Sequence, residues 1–200
     1  MTELIAVALF TVLAVISPGP DFAMVTRASY GFGRRSGLLA AAGIACGVQV
    51  HVLYTVFGVS VLIQHSPLLF LLMKLLGAGY LIFLGYRSLT NTQRVSLEGE
   101  AIAAGTFVSG FLTNALNPKT LLFVVSAYTQ VVQPGSSLAQ QFGYGLFMSF
   151  AHWLWFSLVA LGFSSASLRR VMIERQLLVD RVIGVALLGL GVTVLFASVR

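Results

Sequence analysis

Two short segments gather residue types that a uniform apolar helix would not carry. Ser17-Pro18-Gly19-Pro20-Asp21-Phe22 and Asn114-Ala115-Leu116-Asn117-Pro118-Lys119-Thr120 each place polar groups around proline inside an apolar stretch. Proline is favoured at the first position of a helix, where its missing N–H would be unpaired anyway. Pro18 or Pro20 therefore starts a half-helix that runs through Asp21 to about Tyr30, and Asn117 caps a second one opened by Pro118. Gly19 lets the backbone turn and approach a ligand closely. The free N–H groups and positive ends of two such half-helices favour an anion such as a carboxylate.

Each break also carries a charge. Asp21 could hold a substrate ammonium, carry a coupling proton, or simply cap its own helix. Lys119 puts an ammonium in a first turn, where the helix dipole opposes it. It needs a partner, be it a substrate carboxylate, Asp21 or the membrane interface. Together the two breaks offer the opposite charges that a zwitterionic amino acid requires. The candidate binding and transport residues are Ser17, Pro18, Gly19, Pro20, Asp21, Asn114, Asn117, Pro118 and Lys119. His51 and His152 could titrate near physiological pH, but a lone histidine in a membrane is more often a bond between helices. Asp180 reads as a neutraliser of its neighbour Arg181.

The elements that must position these residues are membrane helices. The 200-residue chain is 58% hydrophobic and only 9% charged, where soluble domains carry about 25% charged residues. Its mean hydropathy is +0.93. The formal charge of +6 does not point to nucleic acid, because the basic residues form no run with interleaved aromatics. They fall in the connections between apolar stretches. The single cysteine, Cys46, excludes an internal disulfide and a multi-cysteine metal site. Three scattered histidines are poor material for a metal centre, and no Gly-x-Ser-Gly nucleophile signature surrounds the serines, so neither a metal, a cofactor nor an enzyme is expected. The N-terminal apolar run lacks a basic leader and reads as a retained span.

Six apolar stretches, at about 4–26, 38–63, 68–88, 106–131, 139–163 and 179–198, are each long enough to cross a ~30 Å hydrocarbon core. The first is either a broken span or a re-entrant one. Arg27, Arg34 and Arg35, then Arg87 and Arg94, then Arg169, Arg170, Arg175 and Arg181 fall on alternate connections, whereas 64–67 and 132–138 carry no Lys or Arg. With six crossings this places both termini outside the cytoplasm. A re-entrant first segment would move only the N-terminus inside.

The halves resemble each other. Pro18 and Pro118 are 100 residues apart, His51 and His152 are 101 apart, and Lys74-Leu75-Leu76-Gly77 precedes Arg181-Val182-Ile183-Gly184 by 107. Three spans per half is an odd number, so the second half enters the membrane in the opposite sense. The expected architecture is all-α: one transmembrane domain over 1–200 with six helices in two inverted three-helix repeats, each with a Pro-broken first helix. The repeats cover about 1–90 and 105–200, with a polar linker at about 91–104. Gly43-Ile44-Ala45-Cys46-Gly47 is a small-residue face suited to close helix packing, within the chain more readily than in a dimer.

The chain resembles the LysE/RhtB superfamily of bacterial amino-acid exporters, and is most like its homoserine/threonine-efflux branch. The resemblance runs over nearly the whole chain. It is carried most specifically by Ser-Pro-Gly-Pro-Asp-Phe at 17–22 and Thr-Asn-x-x-Asn-Pro-Lys at 113–119, with support from Gly-Ile-Ala-Cys-Gly-Val at 43–48 and the Gly-x-Tyr-Leu and Leu-Gly-Tyr motifs within 79–86. It implies a six-helix carrier of the bacterial inner membrane that exports neutral or basic amino acids, with protons as the coupling ion; threonine, homoserine or another neutral amino acid is the expected cargo. It leaves a homodimer and the identity of the cargo open. The competing reading is a channel, or an exporter of a different small solute or ion.

Overall fold

The computed structural model describes residues 2–92, 106–132 and 136–199. The expected linker at about 91–104 falls outside them from residue 93 onward. Among the described residues the secondary structure is entirely helical: α1 (Thr2–Ile16), α2 (Pro20–Phe32), α3 (Arg34–His65), α4 (Pro67–Thr90), α5 (Thr106–Ala115), α6 (Pro118–Val131), α7 (Leu138–Phe163) and α8 (Ala166–Val199).

Local chemistry explains most of the boundaries. Pro20, not Pro18, opens α2, and Pro118 opens α6 behind the N-cap Asn117. The α1–α2 pair is bent by 53° at its break. Gly33, with φ 83°, turns the chain between α2 and α3, a conformation that L side chains rarely adopt. Ser66 caps α4 ahead of Pro67, and Ser137 caps α7.

The helices Arg34–Gly58, Leu138–Phe163 and Ile173–Phe196 are long and apolar enough to cross a membrane, and the bent pair Glu3–Ile16 with Pro20–Phe32 makes a fourth such unit. The protein is therefore a multi-pass membrane protein. One boundary departs from the sequence expectation. The basic segment at 164–178 is not a loop, because α8 already begins at Ala166. No glycine or proline occurs between 166 and 183, so nothing interrupts the backbone ladder. An exposed Arg170–Glu174 ion pair at 2.8 Å joins successive turns of this extension.

Small residues set the packing. A Cβ added at Gly47 would lie 2.9 Å from both the Asn114 Cβ and the Phe111 carbonyl oxygen, and one at Gly43 would collide with the α5 backbone at Phe107. The Gly43/Gly47 face thus seats α5 on α3 within the chain. Gly85 and Gly184 play the same part where α4 packs along α8: a Cβ on either would lie 2.9 Å from the other's carbonyl oxygen.

Two apolar cores result. One joins Phe22 and Val25 of α2, Ala40–Ile44 of α3 and Phe156–Phe163 of α7. The other joins Val7 and Phe10 of α1, Val48–Val56 of α3, Met148 of α7 and residues of α4, α6 and α8. Along α7 the change from one core to the other falls at His152, between Met148 and Phe156; along α3 it falls between Ile44 and Val48, one turn ahead of His51. Both histidines are buried. The two helix breaks open into this seam.

Candidate functional site: the seam between two helix breaks

Asp21 lies in the first turn of α2 and is only 7% exposed. It does not cap its own helix: the N-cap residue is Gly19, and no side-chain cap is present. Its Oδ2 accepts instead from Asn114 Nδ2 at 2.8 Å and from Thr120 Oγ1 at 3.4 Å, both from the second half of the chain. Asn114 Nδ2 also reaches Thr120 Oγ1 at 3.3 Å. The Asn114 carbonyl accepts from the Asn117 N–H at 2.8 Å and from His51 Nε2 at 2.7 Å. A carbonyl cannot donate, so His51 carries a proton on Nε2, and in the neutral ring Nδ1 is an acceptor.

Among the described residues, three buried acceptors of this network have no protein donor: Asp21 Oδ1, Asn114 Oδ1 and His51 Nδ1. Leaving such groups unpaired costs about 1–3 kcal/mol each. The seam is therefore short of donors, which is what a cation-binding or proton-binding position requires.

Lys119 answers the other break. Its Nζ donates to the carbonyls of Ser17 at 2.5 Å and Pro18 at 3.2 Å, across the interface between halves. Ser17 and Pro18 lie where the helical ladder stops, and in lipid a carbonyl without a partner is costly. The lysine also gains compensation for its place in a first turn. Asp21 and Lys119 do not pair with each other; among the described residues the single ion pair is Arg170–Glu174.

Gly19 has a role the sequence did not reveal. Its φ of −176° is ordinary extended backbone, so its conformational freedom goes unused. What matters is its missing Cβ, which would lie 3.2 Å from Lys119 Nζ.

Space is distributed unevenly around this latch. On one side, Ser17–Pro20 and Asn117–Lys119 form the floor of an open vestibule of about 450 Å³, walled by α4 and α8. On the other side, a chamber lined by Asp21, Phe22, Thr120, Phe123, His152 and Phe156 is closed down to about 10 Å³, roughly one water. A second small space of about 10 Å³ lies past His152 and Thr120, against Phe10, Thr11 and Met148. His152 Nδ1 donates to the Met148 carbonyl at 2.7 Å, which makes Nε2 of the neutral ring an acceptor.

All nine candidate residues gather at or beside the breaks. Thr120, the two histidines and Asp180 carry more of the arrangement than the sequence suggested. The expected Asp180–Arg181 neutralisation does not form: Asp180 is buried at the vestibule wall, where its Oδ2 accepts from Asn91 Nδ2 at 2.7 Å, while Arg181 is exposed. Successive residues on a helix point about 100° apart, so a buried Asp180 faces away from its neighbour.

Two proline-opened breaks that carry opposite charges beside a larger and a smaller cavity fit the transporter class of membrane protein. The chain belongs to the LysE type translocator family, whose model matches residues 12–198; it is a translocator and not an enzyme. It is 27% identical to the threonine efflux protein of Escherichia coli strain K12, over 94% of this chain and 95% of that one. It is 34% identical to the leucine efflux protein of Salmonella choleraesuis, over 60% of this chain and 59% of that one. No solved structure matches it.

Proposed function

We propose that this protein exports a neutral amino acid, threonine-like or leucine-like, from the bacterial cytoplasm across the inner membrane in exchange for protons. Efflux of threonine and of leucine by relatives supports the substrate class. The observation that carries the reading is the placement of Asp21 and Lys119, not paired with each other, where an open vestibule meets a closed chamber.

In this scheme the cargo carboxylate takes Lys119 from the Ser17 and Pro18 carbonyls. The cargo ammonium donates to Asp21 Oδ1, the acceptor that lacks a partner. Releasing the two carbonyls frees the first break to change its bend, so the vestibule closes and the chamber opens. A proton arriving on Asp21 from the far side then displaces the ammonium, and the carrier returns. Cargo drives the change only because it binds the two states differently. Six spans in two inverted repeats, about 1–90 and 105–200, would supply the two-fold exchange of states. The arginine-bearing connections would lie in the cytoplasm and both termini outside it.

The test is uptake into inside-out vesicles with an acid-inside gradient, using threonine, homoserine, leucine, lysine and arginine. Uptake of neutral members that collapses with the gradient is expected. Gradient-independent, non-saturable flux would mark a channel, and no uptake of any member by folded protein would overturn the reading.

A further inference from the structure

The vestibule holds a second pair of opposite charges above the latch. Asp180 belongs to the span Ile173–Phe196 and is 2% exposed, yet it lines the cavity. Its protein partners are amides: Asn91 at 2.7 Å, and Gln176 one turn earlier on α8. A neutral residue could serve an amide equally well. A carboxylate kept in an apolar span is expensive and marks a functional position by default; its hydrogen-bond partners are neutral, and the cation whose charge reaches it is Lys119 on the cavity floor.

Arg87 of α4 lines the same cavity, with its guanidinium 5.8 Å from the centre of the Phe83 ring. Tyr80, Phe83 and Leu84 give the cavity an aromatic and aliphatic wall. At about 450 Å³ the space falls within the ~300–1,000 Å³ range of small-molecule sites. An acid on one wall, a guanidinium on the other and an apolar surface between them match the three parts of a free amino acid.

We propose that this vestibule is a loading subsite. Asp180 receives the ammonium of the incoming amino acid and Arg87 its carboxylate, with the side chain along Tyr80, Phe83 and Leu84, before the molecule advances to Asp21 and Lys119. The inference rests on the exporter reading and adds a second binding position to it. It also accounts for an acid in α8 that makes no hydrogen bond or ion pair with Asp21 or Lys119.

The experiment is initial-rate uptake of leucine and of threonine into inside-out vesicles bearing wild type, Asp180→Asn, Asp180→Glu or Arg87→Gln, with each variant's melting temperature measured in detergent. Asp180→Asn keeps shape and hydrogen-bond acceptance while losing charge. Its KM is expected to rise about tenfold with the maximal rate within about twofold, a loss of ~1.4 kcal/mol of binding. Asp180→Glu should recover most of that affinity.

An unchanged KM in Asp180→Asn would overturn the subsite, as would a loss shared equally by maximal rate and melting temperature, which would make Asp180 a structural tie. Should Asp180→Asn fail to fold, Arg87→Gln, altered on an exposed side chain, decides alone: a raised KM supports the subsite and an unchanged one overturns it. Absence of amino-acid uptake by wild type would instead sink the exporter reading beneath it.

Discussion

At the second break the chain satisfies itself. Asn117 caps α6 through the Lys119 N–H at 3.0 Å, and its own N–H returns to the Asn114 carbonyl at 2.8 Å. At the first break the local bonds are backbone only, from the Ser17 N–H to the Leu13 carbonyl at 3.2 Å and from the Ala23 N–H to the Gly19 carbonyl at 3.0 Å. Gly19 offers no side chain, and the carbonyls of Ser17 and Pro18 rely on Lys119, about a hundred residues away. The second break is thus a fixed corner, seated on α3 by Gly43 and Gly47, whereas the first is held by one long side chain whose bonds a ligand can replace. Two similar prolines therefore produce unequal joints: one is closed by its own residues, the other by a side chain from the other half of the molecule.

Four substitutions break or sharpen this contrast. Lys119→Met removes the side-chain donor to the Ser17 and Pro18 carbonyls and the proposed partner of the cargo carboxylate. Net transport in vesicles should fall about a hundredfold or more, the equivalent of ~2.7 kcal/mol, and wild-type uptake in this variant would end the latch description. Asp21→Asn keeps an acceptor for Asn114 but loses the charge. Exchange of cargo down its own gradient should persist while accumulation driven by a proton gradient disappears, so continued accumulation would remove Asp21 from coupling.

Gly47→Val tests the seat of the fixed corner. Overpacking against Phe111 and Asn114 should cost ~1–3 kcal/mol, read as a lowered melting temperature with transport reduced in proportion to folded protein. The smallest effect is the most discriminating. Asn117→Ala should lose about 1 kcal/mol of stability as a cap, while Ser17→Ala should stay within about 0.5 kcal/mol, because the first break uses the Ser17 carbonyl and α2 has no side-chain cap. Equal losses in denaturation would show that the breaks are alike after all.

Much of this was legible before any coordinates. Both breaks fall where expected because proline and N-cap chemistry act within a few residues: Pro118 behind Asn117 needs no tertiary information to start α6. The Gly43/Gly47 face was likewise readable as a packing surface. What escaped was long-range. Nothing near Lys119 in the chain says that its ammonium meets the carbonyls of Ser17 and Pro18, or that Thr120 and Asn114 both bond Asp21. Asp180 was misread for a related reason: its sequence neighbour is a cation, but the turn of α8 points the two apart and gives the acid to Asn91 and the cavity. The arginines at 169–175 suggest a loop by their charge, yet α8 runs through them from Ala166 because no glycine or proline stops it.

The carbonyl pair at Ser17 and Pro18 has one more consequence. Unwound backbone oxygens in a broken membrane helix are the kind of ligand with which many carriers hold a sodium ion. Here a tethered ammonium already fills that position while the cargo is absent, so an alkali metal finds no vacancy there in the resting carrier. Replacing sodium by potassium or choline in the medium should accordingly leave the rate of this carrier unaltered.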